Sequence, residues 1–258
     1  MKDQLGRLLD ITQIPKRIIS LVPSQTELLC SLGLKDSIVG ITKFCVHPEG
    51  LKKEKKIVGG TKNVHFNKIA DLKPDIILCN KEENTEEMVL ALEKIASVHV
   101  SNVITLEDTY QLILQYGEIF KRTEQASQLV NAIQYKKGEL NIDNRIKKVV
   151  YLIWKDPWMA VGGNTFINSM LELNNCDNVY KNSADRYPVV TPEMLKDLDI
   201  DIVLLSSEPY PFREKHISEI DKLFNTKTIL VNGEYFSWYG SRLLKAFDYF
   251  KTISFLNN

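Results

Sequence analysis

The sequence predicts an α/β protein of two lobes, each with a mostly parallel sheet, joined by one long helix. Apolar runs rich in β-branched residues alternate with helical segments twice along the 258 residues. Such alternation is typical of parallel sheets covered on both faces by helices. The stretch between the two series has helical periodicity. We therefore predict an amino-terminal lobe over 1–122, a connecting helix over 123–145 and a carboxy-terminal lobe over 146–258.

The connecting helix is predicted from an apolar stripe and the absence of proline. Thr123 is a suitable cap, and the apolar residues recur at three- and four-residue steps. A helix of ~20 residues is about 30 Å long, enough to join two lobes. An ordinary helix inside one larger domain remains the alternative. The stripe consists of Ala126, Leu129, Val130, Ile133 and Leu140.

Five strands are predicted in the first lobe. Ser24 and Glu27 have the spacing of a capping box, and Gly33 closes the first helix. Later helices begin at Asn84 or Thr85 and at Thr105. The predicted strands are 17–22, 37–41, 57–58, 76–79 and 98–100.

Three strands are predicted in the second lobe, at 147–154, 201–207 and 227–232. A cap at Asn164 or Thr165 and a cap at Thr191 open two helices, a third covers 214–224, and a closing helix starts at Ser237 or Tyr239. The segments IADLKPDIIL (69–78) and LKDLDIDIVL (195–204) share one pattern at a constant offset. This internal sequence similarity, which we call the internal echo, favours two related lobes.

Composition excludes several classes of function. Apolar residues make up 44% and charged residues 26%, the balance of a globular protein. Lys plus Arg and Asp plus Glu both number 33, so the zero net charge argues against a nucleic-acid partner. No apolar run is long enough to span a membrane.

Targeting and redox state follow from local patterns. The start, MKDQLGRLLDITQIPKR, lacks the apolar core of a secretory leader. We expect a cytoplasmic protein as given, or a periplasmic one if an upstream signal peptide was removed, and a monomer. The four cysteines form no CxxC pair, which indicates reduced thiols rather than disulfides or a zinc cluster.

The candidate site follows from where parallel strands end. Ligands of open parallel sheets lie beyond the carboxyl ends of the strands. The residues at these ends are rich in aromatic and Met side chains, which suit a flat apolar ligand with a polar rim. Packing between the lobes is the alternative explanation. The predicted contacts are Phe44, Cys45, His47, Thr61, Lys62, Asn63, Trp154, Trp158, Met159, Arg186, Tyr187, Phe236 and Trp238.

Three local patterns leave alternatives open. Cys45 and His47 are possible soft metal ligands, but one pair lacks the three or four ligands of a zinc site. His47 either coordinates the metal of a bound tetrapyrrole or lines the site. The sequences GGT (59–61) and GGNT (162–165) lack the spacing of phosphate-binding loops, and their glycines fit unusual backbone angles better. Arg186 is the candidate anion contact of the second lobe.

The chain resembles class III substrate-binding proteins, the helical-backbone metal receptors that serve ABC permeases. KRIISLVPSQTELLCSLGL, VGITKFCVHP and KIADLKPDIILC carry the resemblance in the first lobe, and YPVVTPEMLKDLDIDIVLL carries it in the second. The resemblance covers nearly the whole chain and is strongest for the cobalamin-binding branch. It implies a class III periplasmic-binding-protein-like fold.

The resemblance also implies roles for individual residues. The family's early corrin-lining aromatic falls at or beside His47, and its two tryptophans fall near Thr61 and on Tyr187. The family docks its permease through one glutamate on each lobe. The second of these matches Glu193, whereas the first falls on Asn67.

The resulting expectation is a binding protein without catalytic residues or an intrinsic cofactor. It would hold cobalamin, haem or a ferric siderophore in the cleft between its lobes and deliver it to an ABC permease. The alternatives are a cytoplasmic enzyme acting on a tetrapyrrole or metal complex, for which Cys45 and His47 are the candidates, and a sensor or storage protein.

Overall fold

The structure, a computed structural model, describes residues 1–141, 145–196 and 198–253. The described residues pack as two compact units, each with its own sheet. The α/β fold with two separate sheets is therefore confirmed. Unit 1 takes in Met1–Val103, Glu107–Tyr135 and Trp238–Leu243, whereas unit 2 takes in Ile104–Leu106, Lys136–Ser237 and the described chain from Leu244.

The sheet of unit 1 contains all five predicted strands. They are β1 Ile18–Ser20, β2 Ile38–Thr42, β3 Lys56–Gly59, β4 Ile76–Asn80 and β5 Ser97–Ser101. All pairs are parallel and the order is β3-β2-β1-β4-β5. Because helices follow the strands, apolar side chains on the sheet faces are buried, as for Ile19 and Ile77.

Six helices belong wholly or partly to unit 1. They are α1 Pro23–Ser31, α2 Leu51–Glu54, α3 Phe66–Asp71, α4 Glu86–Leu92, α5 Leu106–Ile119 and α6 Thr123–Gly138. The side chain of Thr85 caps α4 by accepting the backbone N–H of Met88.

The predicted capping box at the start of α1 is wrong. Pro23 is the first helical residue, where its missing N–H costs nothing, and no side chain caps the helix. Glu27 instead pairs with Arg242. The predicted end is confirmed, since Gly33 follows the helix at φ +75°.

Helix α6 starts at Thr123 and buries the predicted stripe at Ala126, Val130 and Ile133. Gly117 of α5 allows the close approach, because a Cβ there would lie 2.6 Å from the Cβ of Ala126. The helix ends at Gly138, short of the predicted 145, and 142–144 lie outside the described residues.

The sheet of unit 2 contains the three predicted strands and two short ones that were missed. The strands are β6 Lys147–Trp154, β7 Met159–Ala160, β8 Cys176–Asn178, β9 Ile202–Ser206 and β10 Lys227–Val231. The order is β10-β9-β6-β7, and β8 also pairs with β6. Only β7 pairs antiparallel among the described strands.

The helices of unit 2 are α7 Phe166–Leu173, α8 Pro192–Lys196, α9 Ile217–Phe224, α10 Gly233–Ser237 and α11 Leu243–Phe250. The predicted closing helix corresponds to α11, which begins at Leu243 rather than at Ser237 or Tyr239, whereas α10 was not predicted. The segment between them, Trp238–Leu243, packs with unit 1 and includes the 3-10 helix Gly240–Arg242.

The internal echo corresponds to one repeated hydrogen-bond arrangement. In unit 1, Asp75 accepts the backbone N–H of Arg17 through Oδ2 at 2.9 Å and donates its own N–H to the Arg17 carbonyl at 2.9 Å. In unit 2, Asp201 does the same with Lys148, at 2.7 and 2.9 Å. Each aspartate thereby fixes the chain entering the central strand of its sheet. We call this arrangement the aspartate clamp.

Candidate ligand-binding site

The turn after β3 depends on Gly59 and Gly60. Gly59 has φ +140°, and a Cβ there would lie 2.5 Å from the carbonyl oxygen of Asn63. Gly60 donates its N–H to that same oxygen at 2.7 Å. The two glycines therefore form a tight turn that projects Thr61 and Lys62, rather than a phosphate cradle.

This turn is fastened to the loop after β4. The Asn84 side-chain amide donates to the Thr61 carbonyl at 2.8 Å, and Lys62 Nζ donates to the Glu82 carbonyl at 2.5 Å. Asn84 is itself buried and accepts the N–H of Asn80 at 2.8 Å. The backbone of the turn that carries the predicted contact residues Thr61 and Lys62 is therefore held in place.

A groove of about 550 Å³ lies beside the turn. Phe44, from the loop after β2, is 49% exposed on it, with Lys43 Nζ 5.0 Å from the ring centroid. The structure therefore brings four predicted residues together, namely Phe44, Thr61, Lys62 and Asn63. We call it the β2–β3 groove; it is lined by Lys43, Phe44, Ile57, Gly59, Gly60, Thr61, Lys62, Asn63, His65 and Lys68.

Cys45 is not a ligand-contacting residue. Its side chain is fully buried, with Sγ 3.1 Å from the Thr26 hydroxyl and 3.3 Å from the Thr42 hydroxyl. Burial raises the pKa of the thiol, so it stays protonated at neutral pH. The predicted contact between Cys45 and a ligand is therefore wrong. A buried, protonated thiol is also not available as a nucleophile or as a soft metal ligand. His47 is half-buried, with its ring edge-on to Trp238 at 5.4 Å.

The carboxyl ends of β4 and β5 are covered by the segment Trp238–Leu243. Tyr239 Oη accepts from Gln25 Nε2 at 2.9 Å and from Asn80 Nδ2 at 3.1 Å, and lies 3.5 Å from Ser101 Oγ. Asn80 and Ser101 are the last residues of their strands. A ligand cannot occupy this part of the edge, so the β2–β3 groove is the accessible part. This cover was not predicted from the sequence, because Tyr239 is far from Gln25 and Asn80 in the chain.

An ion pair holds the same segment. The buried guanidinium of Arg242 makes two 2.9 Å contacts with the carboxylate of Glu27, through Nε and Nη2. Trp238 packs over it, with the guanidinium carbon 5.3 Å from the ring. Only 8% of Trp238 is exposed. Its predicted role as a ligand contact is thus largely replaced by a packing role.

Unit 2 presents aromatic residues at the carboxyl end of β6. Trp154 is 40% exposed, and its ring lies edge-on to Tyr210 at 5.7 Å. Trp158 is half-buried, parallel to Phe212 at 6.2 Å, with Lys155 Nζ 5.3 Å from its ring. We call the patch formed by Trp154, Trp158 and Tyr210 the aromatic surface of unit 2.

Arg186 and Tyr187 lie on a segment that runs beside β7. Gly162 donates its N–H to the Arg186 carbonyl at 2.8 Å, and a Cβ at Gly162 would lie 2.4 Å from the Asp185 carbonyl oxygen. Gly162 therefore permits close backbone approach and is not part of a phosphate loop. Arg186 and Tyr187, like Met159 on β7, are half-buried.

Phe236 is a core residue. It is 1% exposed, and its ring lies 5.3 Å from Tyr151 and 5.0 Å from Phe250. The predicted ligand contact is wrong, because α10 turns this side chain inward. The five residues of α10 are too few for a periodic pattern that would indicate this direction.

A family model described as Periplasmic binding protein matches residues 18–229. The chain belongs to the periplasmic binding protein family. It is 30% identical over 210 residues to an ABC transporter substrate-binding lipoprotein of Bacillus subtilis; the match covers 75% of this chain and 64% of that protein's length. It is 25% identical to the vitamin B12-binding protein of Pectobacterium atrosepticum, over 90% of this chain and 86% of the relative.

The fold of this family member is similar to solved structures. The periplasmic heme-binding protein HutB of Vibrio cholerae has a TM-score of 0.74 and 20% identity, with 92% of this chain and 97% of that chain covered. At this identity the likeness concerns the fold alone. The family consists of binding proteins rather than enzymes.

Neither a cluster of metal ligands nor a membrane-spanning helix is found in the described part of the chain. Among residues 1–141, 145–196 and 198–253, no group of three or more His, Cys, Asp or Glu side chains could hold a metal ion. Every helix in the same ranges is too short or too polar to cross a bilayer.

Glu193 lies exposed in the first turn of α8. Its own backbone N–H and the Thr191 hydroxyl lower the pKa of the carboxyl group. It is therefore ionised at neutral pH and accessible to a partner. Helix capping by the same carboxylate accounts for this position equally well.

Proposed function

We propose that this protein binds a bulky metal chelate of corrinoid, haem or ferric-siderophore type and presents it to an ABC permease. The family match over residues 18–229, which takes in strands of both sheets, carries the proposal. The vitamin B12-binding relative supports the ligand class. The chain acts by binding, with no catalytic step.

We propose one ligand-contacting surface on each unit. On unit 1 it is the β2–β3 groove with the exposed Phe44, and on unit 2 it is the aromatic surface with the exposed Trp154. Exposed aromatic rings bury large apolar areas against a flat macrocycle, while nearby cations meet its polar rim. Arg186 and Tyr187 of unit 2 remain proposed contacts of that rim.

His47 has two proposed roles that an absorbance spectrum distinguishes. Half-buried beside Trp238, it either lines the site or coordinates the metal of the chelate. If it coordinates, His47→Ala shifts the visible band of the bound chelate; if it lines the site, only the affinity changes.

Permease docking is proposed to use Glu193, whose exposed carboxylate is available to a cationic partner surface.

The proposed location is outside the cytoplasm, as the family description and the lipoprotein relative suggest. Cell fractionation with an antibody against the chain tests the location. Recovery in the cytosol alone would contradict it.

Titration watched by visible absorbance tests the proposed function. Cobalamin, haem and a ferric siderophore are added separately to the purified full chain. We expect saturable binding of at least one of them at a ratio of one per chain. If none binds, the proposed function is refuted.

Matched variants test the two surfaces. Phe44→Ala and Trp154→Ala each remove an exposed ring and should weaken binding about tenfold, since anchoring aromatic contacts contribute on the order of 1–2 kcal/mol. Leu90→Ala and Tyr135→Ala, at residues 55% and 69% exposed elsewhere, serve as controls. Equal affinities in all four variants would remove both surfaces from the site.

A further inference from the structure

The β2–β3 groove has a strongly one-sided charge. Of its ten lining residues, Lys43, Lys62 and Lys68 are cationic, His65 adds an imidazole, and none is Asp or Glu. The whole chain has 33 basic and 33 acidic residues, so this is a local excess rather than a general property. The acidic residues of the neighbouring loop, Glu82 and Glu83, do not line the groove.

One of these lysines, Lys62, is held in place by the local fold. Lys62 Nζ is held by the Glu82 carbonyl at 2.5 Å, on a turn whose backbone is fixed by Asn84. The carbonyl partner carries no formal charge, so this hydrogen bond does not neutralise Lys62.

Lys43 lies beside the exposed ring of Phe44. Both side chains lie close to Gly60, where a Cβ would lie 3.2 Å from Phe44 Cε2 and 3.7 Å from Lys43 Cε. The groove thus combines an apolar face with positive charge.

These features discriminate among metal chelates. The amide carbonyl of a neutral macrocycle accepts a hydrogen bond from a lysine but adds no opposite charge, whereas a carboxylate or catecholate oxygen does both and is bound more strongly. The volume of about 550 Å³ is that of a small-molecule site.

We propose that the ligand of this protein is an anionic metal chelate, whose carboxylate or catecholate groups bind in the β2–β3 groove. The inference rests on the proposed function and narrows its substrate class. Lys43, Lys62 and Lys68 select negative charge, and Phe44 contacts the apolar part of the same ligand.

The test compares probes of different charge. Haem, with two propionates, and a ferric tris-catecholate are the anionic probes; cyanocobalamin and a neutral ferric trihydroxamate are the neutral ones. Each is titrated by absorbance or by quenching of tryptophan fluorescence, at 50 and 300 mM salt. We expect the tightest binding for an anionic probe, weakened at high salt.

The variant Lys43→Gln/Lys62→Gln/Lys68→Gln should bind that anionic probe at least about tenfold more weakly. Its control is Lys53→Gln/Lys94→Gln/Lys245→Gln, which changes net charge equally at exposed lysines outside the groove. The control should keep wild-type affinity. Circular dichroism and thermal unfolding of both variants confirm that each is folded.

The outcomes separate the inference from the proposed function. Tight binding of a neutral chelate, unchanged in the groove variant, overturns the anionic inference and leaves the proposed function standing. An equal loss in both triple variants also overturns it, since general charge attraction would then explain the binding. Binding of no probe at all overturns both.

Discussion

The two units share one scaffold and differ at the carboxyl edges of their sheets. Both have a largely parallel sheet and an aspartate clamp, at Asp75 in unit 1 and Asp201 in unit 2. At the edge, unit 1 presents lysines around one exposed ring, whereas unit 2 presents Trp154 and its aromatic neighbours. The clamp maintains the fold, while the loops beyond the strands carry recognition.

A second difference concerns how each edge is closed. In unit 1 the ends of β4 and β5 are sealed by Trp238–Leu243, through Tyr239 and the Arg242–Glu27 pair. The sealed half of the edge is structural, and the open half is the groove. In unit 1 the proposed ligand contacts are therefore limited to the open half of the edge, in the loops after β2 and β3.

The largest expected loss of stability comes from breaking the ion pair that holds the segment Trp238–Leu243. Arg242→Ala removes a 3% exposed guanidinium and leaves Glu27, 16% exposed, without its ion-pair partner. We expect the free energy of unfolding to fall by about 3 kcal/mol, as for other broken buried pairs. Urea unfolding measures it, with the exposed Arg213→Ala as control. A loss no larger than that of the control would show that the segment does not seal unit 1.

Removing either aspartate clamp should lower the free energy of unfolding by a smaller amount, and the two clamps should differ in that amount. Asp75 accepts two backbone N–H groups, from Lys16 and Arg17, whereas Asp201 accepts one, from Lys148. At about 1 kcal/mol per hydrogen bond, Asp75→Ala should cost about 2 kcal/mol and Asp201→Ala about 1. Urea unfolding of the two variants side by side measures the difference. A larger cost for Asp201→Ala would contradict the assumption that the number of accepted N–H groups sets the stability of each clamp.

The smallest effect is a pH dependence specific to unit 1. His99 is fully buried in β5, and burial lowers its pKa, although the Gln115 side chain at 2.7 Å partly opposes the shift. The unfolded chain then takes up a proton near pH 6.5 that the folded chain does not. This contribution to stability is complete above pH 6.5 and is lost as the pH falls, by at most about 1.4 kcal/mol per pH unit.

His99→Phe removes this titration and keeps a ring beside Tyr116, which lies 5.2 Å from the imidazole. Urea unfolding at pH 7.5 and 5.5 should therefore show a smaller pH-dependent loss in the variant than in the wild-type chain. Identical pH dependence in both would mean that His99 is protonated in the folded state.

Much of the fold could be predicted because buried strands leave a local signal. The predicted 147–154 coincides with β6, and the five strands of unit 1 differ from prediction by only a few residues at their ends. β7 and β8 were missed because two or three residues are too few for a periodic pattern. The true end of α6 was signalled by Lys136 and Lys137 before Gly138, a typical helix stop.

The candidate site was harder to predict, because its composition depends on which way loop side chains point. Phe44 and Cys45 are adjacent, yet one is 49% exposed and the other fully buried against Thr26 and Thr42. The loop sequence contains no periodicity that separates them. The sealing of unit 1 by Tyr239 was also invisible, since Gln25 lies 214 positions away in the chain.

A crystal structure of the full chain with its bound chelate tests the central claim most directly. We predict a bound chelate whose anionic groups lie against Lys43 and Lys62, with its apolar part in contact with Phe44. A chelate bound without contact to the β2–β3 groove would contradict it.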